Sequence, residues 1–251
     1  MSKLTKDTYD RRFYNIVKSR EFIWKSRINL SYSQNRLLCY ILSNYEPSVV
    51  KYPDGSTFTR DIKTEYKMDI PDYARRCEKQ PSGPFFNAVK KDLKFLRDNS
   101  IWFKNDRGGK ETISWLSNVE DYNGQLIYTF DKRVIHCIDN LAGINHGYLK
   151  YSFNEILHLD PRKNIIQLFE LMYSYQFEKE FSISFKDLLW YLFLEDNNYY
   201  CKAQRFNNKI LKPCIDSINK STSLIIEYET FGNPIHDYVF FIRKKKSICI
   251  N

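Results

Sequence analysis

The chain lacks a hydrophobic run able to cross a bilayer. Nothing in its 251 residues approaches the ~18 uninterrupted apolar residues that such a span needs. The opening stretch MSKLTKDTYDRRFYN has no apolar segment of the secretory type, so a cytoplasmic protein without membrane contact is expected. Cysteine is sparse and scattered: Cys39, Cys77, Cys137, Cys201, Cys214 and Cys249 contain no CxxC pair. They read as reduced, mostly buried small side chains rather than zinc ligands or disulfides. The four histidines, His136, His146, His158 and His236, include no two at a spacing of two. The His-hydrophobic-His metal pair of rolling-circle nicking enzymes is therefore missing, as is any HExxH. Without such a metal pair the 19 tyrosines read as core, interface and phosphate-bonding residues, not nucleophiles. Gly108-Gly109-Lys110 resembles a phosphate loop only superficially. The P-loop pattern wants glycine where Lys104 stands and a hydroxyl where Glu111 stands. No catalytic residue, metal site or cofactor is expected.

One catalytic pattern is weighed and set aside. Pro53-Asp54 followed by Glu65-Tyr66-Lys67 has the skeleton of a magnesium-dependent nuclease. The motif is short, and Pro53-Asp54-Gly55 is equally the signature of a turn.

What is present is apolar, aromatic and basic. Hydrophobic residues make up 43% of the chain and aromatic ones 16%, enough for a real core. The length fits one large domain or two small ones of ~100–150 residues. A formal charge of +9 and a pI of about 9.1 point to a polyanionic partner.

The central pattern is stated twice. QNRLLCYILSNY (34–45) puts Leu38, Ile41, Leu42 and Tyr45 on one helical face, and NIIQLFELMYSY (164–175) does so with Leu168, Leu171, Met172 and Tyr175. FFNAVKKDLKFLRDNSIWF (85–103) carries Val89, Leu93 and Leu96 before Asn99-Ser100 and a strand. RFNNKILKPCIDSINKST (205–222) carries Leu211, Ile215 and Ile218 before Leu224-Ile225. The first copy is longer by a turn-rich loop, EPSVVKYPDGST (46–57). Shorter helices are expected between them at 69–79, with Pro71 in the first turn, and at 182–195, with Ser182 or Ser184 as cap. Each copy then ends in a hairpin. The first runs 101–130, punctuated by Gly108-Gly109 and Asn123-Gly124; the second runs 224–243, bent at Gly232-Asn233-Pro234. Helix, short helix, helix, hairpin is the winged helix–turn–helix plan. The expected fold is α+β and mainly helical: two tandem winged helix–turn–helix domains related by internal duplication. The boundaries expected are a basic arm at 1–24, domains at 25–142 and 143–246, and a tail at 247–251.

In such a unit the last helix enters the DNA major groove by its N-terminal part. Arginine there can bond two acceptors of guanine, and asparagine the matching edge of adenine. Lys202, Arg205, Asn207, Asn208, Lys209 and Lys212 supply that chemistry as base-reading candidates, while the back half of the helix anchors in the core. A solvated surface stripe is the alternative reading. Pro213 removes a helical hydrogen bond, so a kink or a late helix start is expected there. In the first copy Asn87, Lys90, Lys91 and Lys94 form the corresponding stripe. Lysine suits phosphates better than bases, so contacts there are assigned to the DNA backbone. Lys104, Arg107, Lys110 and His236 are the wing-tip candidates. Arg243 and Lys244, with Lys245 and Lys246, either touch phosphate or form a solvated end. Arg11, Arg12, Lys18, Arg20, Lys25 and Arg27 either follow a groove or form a basic extension.

Over about 29–246 the chain resembles the plasmid replication initiator (Rep) proteins of the two-winged-helix type, which start theta replication at repeated origin sites called iterons. The matching stretches are INLSYSQNRLLCYILSNY, YLKYSFNEILHLDPRKNIIQLFELMYSYQ, and RFNNKILKPCIDSINKSTSLIIEYE with YVFFIRKKK. The resemblance makes Pro213 a family feature. It implies that the C-terminal winged helix gives the more specific grip, through 202–212, and the N-terminal one adds contacts. It implies monomers on direct repeats, in equilibrium with homodimers that repress their own gene at an inverted repeat. It also implies host chaperones, the host initiator and the replicative helicase as partners. The 46–66 insert departs from the pattern where the dimer interface is concerned. A dedicated tandem winged-helix transcription repressor shares every DNA-binding feature. A nuclease and a protein-interaction module are the readings from other classes; the motifs disfavour the first and the charge the second.

Overall fold

Apolar side chains spaced three and four apart form the helices expected of them in the computed structural model, which describes residues 15–45, 49–51, 57–59, 61–104, 109–139 and 147–245. The chain divides into two compact units. One runs to Phe22 and resumes over Ser33–Phe153; the other takes Ile23–Tyr32 and the chain from Asn154 onward. Residues 148–153 thus group with the first unit, and a short stretch far upstream groups with the second.

The first unit begins with β1 (Asn15–Ser19), from which α1 (Arg20–Lys25) and β2 (Ser26–Arg27) carry the chain across. It resumes with α2 (Tyr32–Ser43), β3 (Val49–Lys51), β4 (Thr57–Thr59), β5 (Glu65–Lys67), α3 (Ile70–Arg76) and α4 (Gly83–Asp98). Four strands follow, β6 (Ser100–Lys104), β7 (Lys110–Ser114), β8 (Leu116–Tyr122) and β9 (Gln125–Phe130), then α5 (Lys132–Asp139) and β10 (Tyr148–Ser152). β1 pairs antiparallel with β10, Asn15 opposite Ser152 and Ser19 opposite Tyr148. Lys18, expected in a basic arm that follows a groove or forms an extension, is fully buried. Side chains alternate along a strand, so Lys18 shares the inward face with Ile16. Arg11 and Arg12 lie outside the described residues, as do Pro53, Asp54 and most of the 46–57 turn region.

The second unit runs α6 (Asn154–Leu157), α7 (Ile165–Ser174), β11 (Glu180–Ser184), α8 (Phe185–Tyr191), α9, β12 (Leu224–Phe231) and β13 (Asp237–Lys244). α9 comprises a short α segment Ala203–Phe206, a π turn Asn207–Leu211 and an α segment Lys212–Ser221.

The two units repeat one plan closely. Each has a three-stranded antiparallel sheet whose last strand in sequence is central, β5-β9-β8 in the first and β11-β13-β12 in the second. α3 and α8 are each seven residues long and start alike: Asp69 accepts from the N–H of Asp72 and Ser184 from the N–H of Asp187. They also end alike. Glu78 and Phe193 sit at positive φ, 54° and 60°. The next N–H then reaches five residues back, Lys79 to Ala74 and Leu194 to Leu189, each over 2.8 Å. Of the two expected caps, Ser184 serves; Ser182 lies within β11.

The first unit departs from the expectation after α4. Residues 101–130 form two hairpins, not one: β6–β7 and β8–β9. Only β8–β9 occupies the place of β12–β13, so β6–β7 is an insertion, and Leu116, not Ile101, stands where Leu224 does. The tip of this wing is Asn123-Gly124, with φ 50° and 77°, the two left-handed residues of a tight hairpin turn.

In α3 the buried Asp72 accepts from Tyr40 at 2.8 Å, Arg75 at 2.5 Å and Arg76 at 2.9 Å. Burial pushes its carboxyl up, but the hydrogen bonds from Arg75, Arg76 and Tyr40 outweigh this and hold it below the usual carboxylate value. A depressed folded-state pKa gives stability that is present at neutral pH and lost as pH falls through the folded value. Asp72→Asn is expected to lower the denaturation midpoint at neutral pH and to flatten its fall on acidification, read by urea titrations across the acid range.

Candidate nucleic-acid interface

The helix α9 has two unlike faces, each with a distinct anchor. Phe206, Leu211, Ile215 and Ile218 are all buried. Lys202, Arg205, Asn208, Lys209 and Lys212 are all exposed. Phe206 and Leu211 stand five apart, a spacing that 3.6 residues per turn would carry off a single face. The π turn restores the register: the N–H of Lys212 bonds to the carbonyl of Asn207, five residues back. The helix does not start late at Pro213: its backbone is helical from Ala203, and the π turn lies immediately ahead of the proline. The helix continues beyond it to Ser221.

The neighbours of α9 fix its placement. Gln167 and Asn164 donate to the carbonyls of Tyr191 and Leu192, each over 2.6 Å, and so hold the end of α8 against α7. Phe206 packs against Phe185 and Tyr238, ring centroids 5.6 and 6.1 Å away. The hydroxyl of Tyr238 donates to Asn207 Oδ1 over 2.7 Å, tying the π turn to the central wing strand. At the far end Asn219 brackets Ile226: its Nδ2 donates to the carbonyl over 2.8 Å and its Oδ1 accepts from the N–H over 2.7 Å. Ser217 Oγ accepts from the N–H of Asp160 over 2.9 Å. The Ser-Ile-Asn triplet is thus a structural lock: two hydrogen-bonding side chains around the buried Ile218. These positioning residues, Asn164, Gln167, Asn219 and Tyr238, are not picked out by the sequence reading. All four lie in the stretches that carry the family resemblance, with no role attached to them there.

Of the six base-reading candidates, Asn207 is turned toward β13 and half-buried, while the other five face solvent. The guanidinium of Arg205 lies 4.8 Å from the ring centroid of Tyr199, in the loop between α8 and α9. The helix begins at Lys202 with no side-chain cap hydrogen bond.

In the first unit Asn87, Lys90, Lys91 and Lys94 lie exposed along α4, opposite the buried Val89, Leu93 and Leu96. Lys90 is paired with Asp121 of β8 at 2.6 Å. Lys104 stands opposite Lys110 across the inserted β6–β7 hairpin, not on the wing proper; Lys110 is exposed, and Arg107 lies outside the described residues. His236 is exposed beside Asp237, 2.6 Å from its carboxylate. Arg243 pairs with Glu227 at 3.0 Å, and Lys244 lies 5.4 Å from the ring centroid of Tyr173. Lys246 lies outside the described residues. Glu65-Tyr66-Lys67, the second half of the nuclease-like pattern, is strand β5, with Tyr66 packed among Tyr45, Tyr128 and Phe130. Among the described residues the cysteines, Cys39, Cys77, Cys201 and Cys214, are free thiols; Cys201 is the exposed one. No described helix is long and apolar enough to cross a membrane.

Residues 15–173 match the family model described as initiator replication protein, WH1, and residues 184–242 the one described as initiator Rep protein, WH2. Among solved structures, the Pi initiator protein in complex with iteron DNA aligns with a TM-score of 0.71 at 17% identity. The alignment covers 94% of this chain and 99% of that one. Domains 2 and 3 of RctB align with a TM-score of 0.43 at 11% identity, over 71% of this chain and 73% of that one. No curated protein sequence matches the chain.

Proposed function

Because the chain belongs to the replication initiator family built from the winged-helix units WH1 and WH2, we propose that it binds repeated elements of a plasmid replication origin as double-stranded DNA and initiates replication there. The observation that carries this reading is the exposed basic and amide stripe at the front of α9, on a helix whose opposite face is rooted in the core. Lys202, Lys209 and Lys212 meet phosphates; Arg205 and Asn208 read base edges. The stripe of α4 adds backbone contacts with Asn87, Lys91 and Lys94, and with Lys90 once DNA displaces Asp121. Asn207 supports the reading head from behind. Lys110, His236, Arg243 and Lys244 contribute at the margins at most, since the last three already have partners on their own surface.

The protein acts in the cytoplasm by binding energy, without catalysis of its own. It bends or melts the origin and recruits the host initiator, helicase and chaperones. It also represses its own gene as a homodimer on an inverted repeat. The likeness of its fold to the Pi initiator, solved with iteron DNA, supports the choice of direct repeats as the target.

Fluorescence anisotropy tests this reading. The probes are the non-coding DNA flanking the gene and a scrambled duplex, each over a salt series. Tight binding to a directly repeated element with a steep negative salt slope is the expected result. Binding to an inverted repeat alone favours a dedicated repressor, and equal weak binding to both duplexes refutes the reading. Within that assay, Arg205→Ala is expected to relax discrimination at one base pair by ~1–3 kcal/mol. Unchanged discrimination removes Arg205 as a base reader.

A further inference from the structure

Tyr199 stands beside the foremost base-reading candidate, Arg205. It lies in the loop joining α8 to α9 and is 47% exposed, although its ring is large and apolar. Its backbone is held: the N–H of Tyr199 bonds to Asn197 Oδ1 over 3.0 Å, and the N–H of Tyr200 to the carbonyl of Asn197 over 2.9 Å. Tyr200 meets it edge-on, ring centroids 5.1 Å apart. One face of the Tyr199 ring is thereby fixed beside Arg205, whose guanidinium sits 4.8 Å from the ring centroid.

An arginine on an exposed helix face ordinarily samples many rotamers, and a bidentate contact to a base must remove that freedom. A ring fixed by its backbone and by a second aromatic restricts the guanidinium before DNA arrives. We propose that Tyr199 is a positioning residue for base reading, which holds the guanidinium plane of Arg205 for one base pair of the target. This rests on the assignment of Arg205 as a base reader. The ring does not neutralise the arginine, as a carboxylate would. It limits orientation and leaves the hydrogen-bonding edge free.

The test is a double-mutant cycle with the full chain. The probe is a duplex selected by the wild-type protein from random-sequence DNA, together with single base-pair variants of it. Arg205→Ala should lose discrimination at one base pair by ~10- to 100-fold. Tyr199→Ala should lose about two- to fivefold at that same base pair and little elsewhere. Tyr199→Phe should keep it, and Tyr199→Leu, which preserves bulk without a π face, should not. The double variant Tyr199→Ala with Arg205→Ala should match Arg205→Ala alone. Additive losses, uniform weakening across all base pairs, or tighter binding by Tyr199→Ala would overturn the proposal. If Arg205→Ala leaves discrimination intact while the wild type still selects an element, both the assignment of Arg205 and the role of Tyr199 fall. DNA binding by the chain then stands.

Discussion

Replacing Lys202, Arg205, Lys209 and Lys212 together by glutamine should lower affinity for the selected element by a factor on the order of a thousand. It should also flatten the salt dependence. Each lysine that releases a counterion from a phosphate contributes ~0.9 to the slope of log K against log salt, so three lysines account for a change of about 3. All four side chains are exposed and none anchors the helix. The unfolding free energy should therefore change by no more than ~0.5 kcal/mol per substitution. The combination matters: lost binding with intact stability identifies an interface, whereas a fall in both marks a folding defect. An unchanged salt slope would show that the stripe does not meet phosphate.

The opposite face should respond the other way. Phe206→Ala is expected to destabilise the second unit by ~3–5 kcal/mol, because a fully buried ring leaves a cavity that its neighbours fill only in part. Those neighbours are Phe185 and Tyr238, and the latter also holds Asn207. The loss should therefore spread to the π turn and weaken DNA binding indirectly. Phe206→Leu should recover most of the stability. Urea unfolding measured with hydrogen exchange along α9 reads both effects; a loss under 1 kcal/mol would mean that Phe206 is not part of the packed core.

Much of this architecture was legible in the sequence, and the failures have physical causes. The helices α2, α4, α7 and α9 each carry a strong 3.6-residue apolar repeat, and their order repeats. For α8 the cap is one of two serines, of which Ser184 serves; for α3 only Pro71 in the first turn is legible, and the Asp69 cap is a finding of the structure. Pro213 leads the sequence reading to a kink or a late start, because a proline costs an α-helix a bond and a clash. The five-residue gap from Phe206 to Leu211 is the signal for the π turn that precedes it. The β6–β7 insertion was missed because Gly108-Gly109 and Asn123-Gly124 are both good turns, and local chemistry does not say which hairpin joins β5. Lys18 reads as part of a basic arm, following a groove or forming an extension, because charge outweighs strand alternation in a stretch so rich in basic residues. In the candidate site, residue types picked out the exposed stripe. They could not show that Asn207 faces inward, since that depends on the helical phase set by the π turn.

The upstream segment Ile23–Tyr32 has an evolutionary consequence. Within the second unit Trp24 stacks on Tyr175 at 5.3 Å and donates to Ser174 over 3.1 Å. Arg27 lies 3.8 Å from the ring centroid of Phe193 and pairs with Glu195. The second unit is therefore encoded in two separate pieces of the gene, with the first unit's body between them. A gene that acquires a new second half by a single recombination in its middle keeps its own Trp24 and Arg27 against a foreign Tyr175, Phe193 and Glu195. Functional exchange between relatives then demands either two crossovers or compatible residues at both ends. Gene trees drawn from the first and second halves of such genes should disagree less often than two independent domains would allow.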